Sequence, residues 1–337
     1  MNTVLRASAL LLLLAAPLRA DVNGDLAFSS FSSPDLNALS SGQVLQKSGG
    51  LINFPRGIVV QALYVVDTDP ASVQKKLLTW DPASHPELKV WMHKSLPAKP
   101  ALADFSALAS LPDNTSVAAL RTATAKLTAD APGDLQVSKD EAQSIATAMK
   151  GGASTAFSDA WSQVLAGRMN SFLAGTAAND VYQTGDGKVM PLDDVRHLLH
   201  TDTKVYGQFQ RFFNQTPLKA GTAPSVPLAP ANLYYECFDV QDFAAMGTGA
   251  IYQHADGATI QSADFEFYVN SGIYASVELE QLWPVTINGK NETLVWREDL
   301  VSAPDMAGRS GSERLAAGMI MLQDVKQAVD AFKAEFK

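Results

Sequence analysis

The feature that most constrains the fold is the stretch from Gly57 to Asp81, where an apolar run is followed directly by a helix pattern. Alternate residues of a strand point to opposite faces, and in this run only Gln61 interrupts the apolar side chains. Both faces must therefore be covered, so the strand lies inside a sheet. Asp69 is an N-cap and Pro70 fits a first turn, which together predict a helix that ends near Asp81.

The hydrophobic period changes beyond this unit. Glu87 to His93 alternates as a half-buried strand does, whereas Ala101 to Gln215 has the texture of alanine-rich helices, one of them from Ser154 to Ala174. Four prolines between Thr216 and Asn232 indicate a linker. Its position predicts that the chain returns there to the sheet.

After the linker the period returns to two. Asp264 to Val269 and Ile273 to Glu280 predict a hairpin, and Asn288-Gly289 predicts a second tight turn into Thr293 to Trp296. We expect an antiparallel meander with one apolar face. The last segment, Ser312 to Lys337, predicts a long amphipathic helix. Its apolar side is formed by Leu315, Leu322, Val325, Val329, Phe332 and Phe336.

This order of elements, together with the look of Gly57 to Asp81 and the ending Glu313 to Gly318, resembles the helix-grip fold of the START and polyketide-cyclase-like superfamily. The resemblance implies an α+β fold in which a curved antiparallel sheet grips the long C-terminal helix and encloses an apolar cavity. The central helices would then be an insertion. The predicted division is a signal peptide at 1–20, a helix-grip domain from 21–100 and 231–337, a helical insertion at 101–215 and a linker at 216–230.

The N-terminus predicts export. Arg6 precedes an apolar core and Ala20 offers a cleavage site, so we expect a signal peptide cut after Ala20 and a periplasmic or secreted protein. That core is shorter than the ~20 residues of a membrane span, and no later segment is long and apolar enough to be one. Without Arg6 and Arg19 the net charge of −9 becomes −11, which disfavours nucleic-acid partners. The single cysteine, Cys237, excludes an internal disulfide and predicts a buried thiol.

Motifs for catalysis are scarce. His197 and His200 share a helical face with Asp193 one turn earlier, which could be taken for part of a metal site, but no motif completes the ligand shell. An ordinary surface helix is favoured, and neither a metal nor a cofactor is predicted. The small residues from Met246 to Ala250 lack a dinucleotide fingerprint and indicate a bend in a curved sheet.

Aromatic residues in the sheet segments give the best indication of a ligand site, with a solid core as the alternative. We hypothesise an exported protein that binds a hydrophobic or amphipathic, lipid-like molecule between the sheet and the C-terminal helix. The alternatives are an enzyme acting on such a ligand, with His197 and His200 over the cavity mouth, and an envelope interaction protein that docks a protein partner through its helices. The predicted ligand-binding residues are Trp80, Trp91, Phe265, Phe267, Tyr274, Trp296, Gly318, Leu322, Val325 and Phe332.

Overall fold

The protein is built on one large antiparallel sheet. The computed structural model describes residues 21–48, 53–131, 133–177, 181–184, 187–218 and 227–336. Eight strands form a curved, unclosed sheet in the order β1-β2-β10-β9-β8-β7-β6-β3, and a separate short hairpin joins β4 to β5. The predicted α+β class, with a curved antiparallel sheet and a long C-terminal helix, is confirmed.

The strands are β1 Leu45–Ser48, β2 Gly57–Val66, β3 Val90–Leu96, β4 Tyr182–Thr184, β5 Gly187–Val189, β6 Asn232–Val240, β7 Phe243–Asp256, β8 Thr259–Val269, β9 Ala275–Ile287 and β10 Lys290–Ser302. The helices are α1 Val22–Asp25, α2 Leu36–Ser40, α3 Pro70–Thr79, α4 Thr115–Lys126, α5 Lys139–Lys150, α6 Ala156–Leu173, α7 Pro191–Leu199, α8 Thr203–Gln208, α9 Gln210–Gln215 and α10 Gly311–Ala334. Short 3-10 turns lie at Pro82–Ser84, Pro86–Leu88, Leu102–Ser110 and Pro304–Met306.

The unit β2–α3 forms as its sequence predicts. Strand β2 is buried along nearly its whole length between β1 and β10. Its one polar side chain, Gln61, is buried too and donates a hydrogen bond of 2.5 Å to Glu298. The Asp69 carboxylate accepts hydrogen bonds from the first turn of α3, and Pro70 occupies that turn. Local capping and two-sided burial therefore fix the start of the fold.

Strands β6 to β10 form the predicted meander, in which each strand pairs with the next. At the last turn, Asn288 and Gly289 have φ angles of 52° and 81°. Two consecutive left-handed residues match the right-handed twist of a two-residue hairpin, and glycine and asparagine adopt them at low cost. The turn thereby sets the register in which Arg297 of β10 lies opposite Glu280 of β9.

One face of the sheet is covered by the central helices; we call it the insertion face, and it carries Phe265, Phe267 and Trp296. Phe267 stacks on Phe172 of α6 at 3.8 Å between ring centroids, and Trp296 packs against Phe209 at 5.6 Å. All three insertion-face aromatics are buried in the main apolar core. Residues of the predicted insertion therefore cover the sheet with a solid aromatic core.

The opposite face, which we call the grip face, carries Tyr64, Glu266 and Arg297 and is covered by α3 and α10. The second half of α10 anchors the helix, because Val325, Val329 and Phe332 pack into a second core with β2 and α3. This packing confirms most of the apolar side expected for the terminal helix. Leu315 is an exception: it is 60 % exposed, because the first half of α10 rests on the sheet only at a few points.

The meander has one apolar face, as expected. The grip face is largely enclosed as well, but many of its side chains are charged. Strand β8 illustrates the pattern, since Phe265 and Phe267 enter the insertion-face core while Asp264 and Glu266 point to the grip face. The predicted signal peptide at 1–20 and the middle of the predicted linker, 219–226, lie outside the described residues.

Candidate ligand cavity

A cavity of about 830 Å³ lies between the grip face and α10. Its floor is formed by β3 and β6 to β10, and its roof by Ile320, Asp324, Gln327 and Ala328 of α10. Trp80, at the end of α3, closes one side and stacks on Phe332 with 4.9 Å between the ring centroids. The C-terminal helix thus crosses the sheet without filling the space beneath its middle part, Ile320 to Ala328.

The cavity is strongly acidic. Lys89 and Arg297 are the permanently charged bases among its lining side chains, and His93 can add a third positive charge. They face ten carboxyl groups. These belong to Glu87, Glu236, Asp239, Asp242, Asp264, Glu266, Glu278, Glu280, Asp299 and Asp324.

Arg297 holds together one end of the floor. It donates to both carboxylate oxygens of Asp299, at 2.8 and 2.6 Å, and forms an ion pair of 2.6 Å with Glu278. Burial raises the pKa of Glu278, and the attraction of Arg297 only partly offsets it. The Glu278 side chain keeps 30 % of its surface accessible, so water in the cavity can reach it even though protein surrounds it. The Nε and Nη2 atoms of the guanidinium therefore already have acceptors from this chain.

Two tyrosines donate hydrogen bonds to two further carboxyls of the floor. Tyr234 donates a hydrogen bond of 2.9 Å to Asp264, and Tyr64 donates one of 3.4 Å to Glu280. Burial raises the pKa of Asp264 and that of Glu280 to about 7 each, although the tyrosine hydrogen bonds oppose this rise. A carboxyl that titrates near neutral pH can exchange a proton with a bound molecule.

Glu266 is another buried carboxyl of the floor, at 5 % exposure. Ser276 donates to its Oε2 atom at 3.1 Å, but its Oε1 atom has no hydrogen-bond donor. Burial is the largest cause that raises the pKa of Glu266, and the neighbouring charges of Glu236 and Asp264 add to it. A hydrogen bond with Glu236, which needs a proton on one of the two carboxyls, raises it further.

Glu236 is in turn held by His93, whose Nδ1 atom lies 3.0 Å from a carboxylate oxygen of Glu236. Burial works against a charge on His93, but the hydrogen bond and the charge of Glu236 outweigh it and raise the pKa of the imidazole. The ring also stacks on Tyr234 at 4.9 Å. Side chains from β3, β6, β8 and β9 thus form one continuous polar floor.

Two glycines of β7 make room for this floor. A Cβ atom at Gly249 would come within 2.4 Å of the Tyr234 ring, and one at Gly247 within 1.9 Å of Glu266 Oε1. Both side chains therefore lie across the bare backbone of β7. The register of β7 against β8 also shifts between Thr248 and Gly249. The small residues from Met246 to Ala250 thus accompany an irregularity in the sheet, and in addition they clear space for cavity side chains.

The predicted ligand residues do not come together at this cavity. Of the ten, Trp80 lines it. Three others belong to the second apolar core, which α10 forms with β2 and α3. Gly318 lies against β1, where an added Cβ would meet Ser48 Oγ at 3.1 Å. The other five pack on the insertion face. The second-core residues are Leu322, Val325 and Phe332, and the insertion-face residues are Trp91, Phe265, Phe267, Tyr274 and Trp296.

The histidine pair lies elsewhere. His197 and His200 are both exposed on α7, which packs on the insertion face. His197 stacks on Phe54, and its Nδ1 atom lies 2.7 Å from the Asp193 carbonyl. Neither histidine lines the cavity, so they cannot act at its mouth. Within the described residues, no three side chains of metal-binding type converge in a way that could hold an ion.

The sequence also contains a pattern that indicates the polar floor of the cavity, although the prediction of ligand residues relied on the aromatic side chains. Acidic residues alternate with apolar ones along β8 and β9, as in Asp264 to Phe267 and Val277 to Glu280. A half-buried strand gives the same alternation when its polar face meets bulk water. The distinguishing fact is that α10 covers these carboxyls, and a long-range contact of that kind has no local sequence pattern.

Cys237 is placed as expected for a buried thiol. Its side chain is fully buried on the insertion face of β6, directly after Glu236 on the grip face. Burial raises the pKa of the thiol to about 12.

Among the described residues, no helix is long and apolar enough to cross a membrane. Comparison with known proteins finds no matching family model and no matching curated sequence.

Proposed function

We propose that this protein is an exported helix-grip protein, similar to the START and polyketide-cyclase-like superfamily, that binds an amphipathic small molecule beneath its C-terminal helix. The observation that carries the proposal is the cavity of about 830 Å³ between the grip face and α10. Ligand sites of small molecules are typically ~300–1,000 Å³ in volume. The cavity therefore has the size of a binding site and lies where the helix-grip resemblance implies one.

The distribution of side chains favours a molecule with one polar and one apolar end. The floor carries the carboxyl network of β6 and β8 to β10, while part of the cavity edge is apolar. Leu77 and Trp80 line one side, and Val301 and Ile320 also line the cavity. Ile320 is 63 % exposed, so the apolar wall continues to the surface. A purely hydrophobic ligand would leave the carboxyls without partners, which is costly.

The test is direct binding, with the cavity blocked in a matched variant. Native mass spectrometry of the purified protein should detect a bound molecule, and Ala328→Trp should abolish it, because Ala328 lines the roof of the cavity. Met319→Trp is the control, because Met319 is 63 % exposed on the same helix. Binding that survives Ala328→Trp unchanged, or no binding of any amphipathic probe, would contradict the proposal.

A second candidate function is acid–base chemistry on the bound molecule. Asp264 and Glu280 face the cavity, and burial brings the pKa of each to about 7, which suits a general acid or base at neutral pH. Mass spectrometry of the ligand after incubation with the protein should then reveal a product that Asp264→Asn does not form. An unchanged ligand mass would mean that the protein binds the molecule without converting it.

The interaction-protein alternative has less support. It needs a broad apolar surface on the alanine-rich helices, but α6 turns its apolar side chains inward, and its exposed positions include Asp159, Gln163 and Asn170. Without such a surface a partner would have little apolar area to bind.

A further inference from the structure

The cavity floor holds more hydrogen-bond acceptors than its own side chains can satisfy. The donors described above are directed at other carboxyls: Nε and Nη2 of Arg297 at Asp299 and Glu278, Tyr234 at Asp264, and Tyr64 at Glu280. Carboxylates accept at both oxygens and donate nothing unless they are protonated. Carboxylate oxygens that face the cavity therefore take donors from water or from a bound molecule.

Glu266 makes this shortage specific. Its side chain is at least nine-tenths buried and lines the cavity, yet Oε1 has no hydrogen-bond donor. A buried acceptor without a donor costs about 1–3 kcal/mol, and more when it is charged. Two states can satisfy it. Either a proton is shared with Glu236, or a ligand brings an N–H group.

We propose that the ligand carries a cationic amine, and that Glu266 with its neighbours Glu236 and Asp264 binds the ammonium group. This inference rests on the proposed function, because it names the head group of the same amphipathic molecule. An ammonium group supplies three donors and one positive charge, which are the two things the floor lacks. The apolar edges around Trp80 and Ile320 then hold the rest of the molecule.

Other head groups fit the floor less well. An anion would be repelled by those of the ten lining carboxyls that are ionised, and among the lining side chains its positively charged partners would be Lys89, Arg297 and His93. A neutral hydroxyl group brings a single donor and leaves the excess negative charge uncompensated. A bare metal ion needs several ligands that converge, and within the described residues no such group occurs. An organic cation with its charge at one end is therefore the class that the floor selects.

Binding should also displace protons. The titratable groups that act on Glu266 are Glu236 of β6, Asp264 on the same strand and Tyr234 of β6. Glu236 is itself hydrogen-bonded to His93 of β3, Ser276 of β9 donates to Glu266, and β7 contributes Gly247 there. Glu278 of β9 and Arg297 of β10 line the same cavity. Asp324 of α10 and Lys89 line the cavity from above. Because protonated carboxyls must ionise to bind an ammonium group, amine binding should release protons and strengthen as the pH rises.

The experiment compares three probes that share one tail: dodecylamine, dodecanol and dodecanoate, each below its micelle concentration. Isothermal titration should give dodecylamine the tightest binding and dodecanoate the weakest. Glu266→Gln should weaken dodecylamine binding by about ten- to a hundredfold, the usual worth of a hydrogen bond to a charged group, and leave dodecanol unchanged. Titrations in buffers of different ionisation enthalpy measure the proton release.

Glu298→Gln is the matched control. Glu298 is a buried carboxyl that accepts a hydrogen bond from Gln61, and burial raises its pKa to about 8, but it does not line the cavity. This variant should keep the preference for dodecylamine. Equal affinity for the three probes would overturn the amine inference and leave the proposed function standing. No binding of any probe would overturn both, and tighter binding of Ca²⁺ than of dodecylamine would replace the amine with an inorganic cation.

Discussion

The two faces of the sheet use the same strands for opposite purposes. On the insertion face, Phe267 and Trp296 interlock with the central helices and leave a close-packed core. On the grip face, the next residues along those strands, Glu266 and Arg297, border open space under α10. Because side chains alternate along a strand, one sheet can have a solid face and a hollow one. The first is filled by a close-packed core, and the second keeps open space beside the smaller core that α10 forms with β2 and α3.

Among the changes that distinguish the two faces, removal of α10 should have the largest effect on the stability of the fold. Truncation before Ser312 takes away Val325, Val329 and Phe332, which cover the apolar part of the grip face around Tyr64. The insertion-face core cannot compensate, because β2 is buried on both sides. We expect loss of cooperative unfolding, measured by circular dichroism. A truncated protein with a sharp transition would mean that the insertion face alone holds the fold.

A pair of tryptophan substitutions should separate the two faces. Trp296→Ala, in the solid core at 0 % exposure, should lower the free energy of unfolding by about 3–5 kcal/mol. Trp80→Ala should cost less, because Trp80 is only half-buried and one side of it borders the cavity. Urea denaturation measures both. Probe binding should fall in Trp80→Ala and persist in Trp296→Ala under conditions in which it is folded; the reverse result would reassign the ligand site to the insertion face.

The hollow face should make stability depend on pH. In the unfolded chain Asp264 and Glu280 ionise near their ordinary pKa values of 3.8 and 4.5, whereas burial raises the pKa of each to about 7 in the folded protein. A raised carboxyl pKa means that the folded state binds more protons, so this stabilisation is complete below about pH 4 and is lost as the pH rises through 7.

We expect the free energy of unfolding to fall by about 5 kcal/mol between pH 5 and pH 8, since each of the two carboxyls titrates over about two pH units of that range and each unit corresponds to about 1.4 kcal/mol. Asp264→Asn should flatten the profile, measured by urea denaturation across that range. Asp113→Asn, at an exposed loop position, should leave it unchanged. A profile of the wild-type protein that rises from pH 5 to pH 8 would contradict the burial of these carboxyls.

The smallest effect is expected from a single methyl group on β7. Gly249→Ala places a Cβ against the Tyr234 ring, and overpacking of this kind typically costs about 1–3 kcal/mol. Gly167→Ala is the control, because a Cβ there meets nothing within 4 Å and alanine favours the helix α6. Thermal melts and probe titrations should separate the two. Unaltered probe binding in Gly249→Ala would mean that Tyr234 does not shape the floor.

Local sequence patterns predicted the helices, strands and turns well, whereas contacts between residues distant in the sequence were not predicted. The cap at Asp69, the two-sided strand β2 and the turn at Asn288-Gly289 each depend on neighbours in the sequence. Which face of β8 would stay hollow depends on how α10 crosses the sheet, and that depends on distant contacts such as Arg314 to the carbonyl of Gly57. Aromatic content therefore points to the wrong face, because five of the predicted aromatic ligand residues pack in the solid core of the insertion face.

Cys237 gives this protein a built-in reporter of motion. The thiol lies under the polar floor in the solid core, and with its pKa raised to about 12 only a minute fraction is thiolate at neutral pH. Reaction with a thiol reagent therefore requires the sheet to open, so its rate measures the frequency of opening. A molecule bound above Glu236, the preceding residue on β6, should slow that rate in proportion to its occupancy. The rate of thiol modification at the single cysteine therefore measures ligand binding without an attached label.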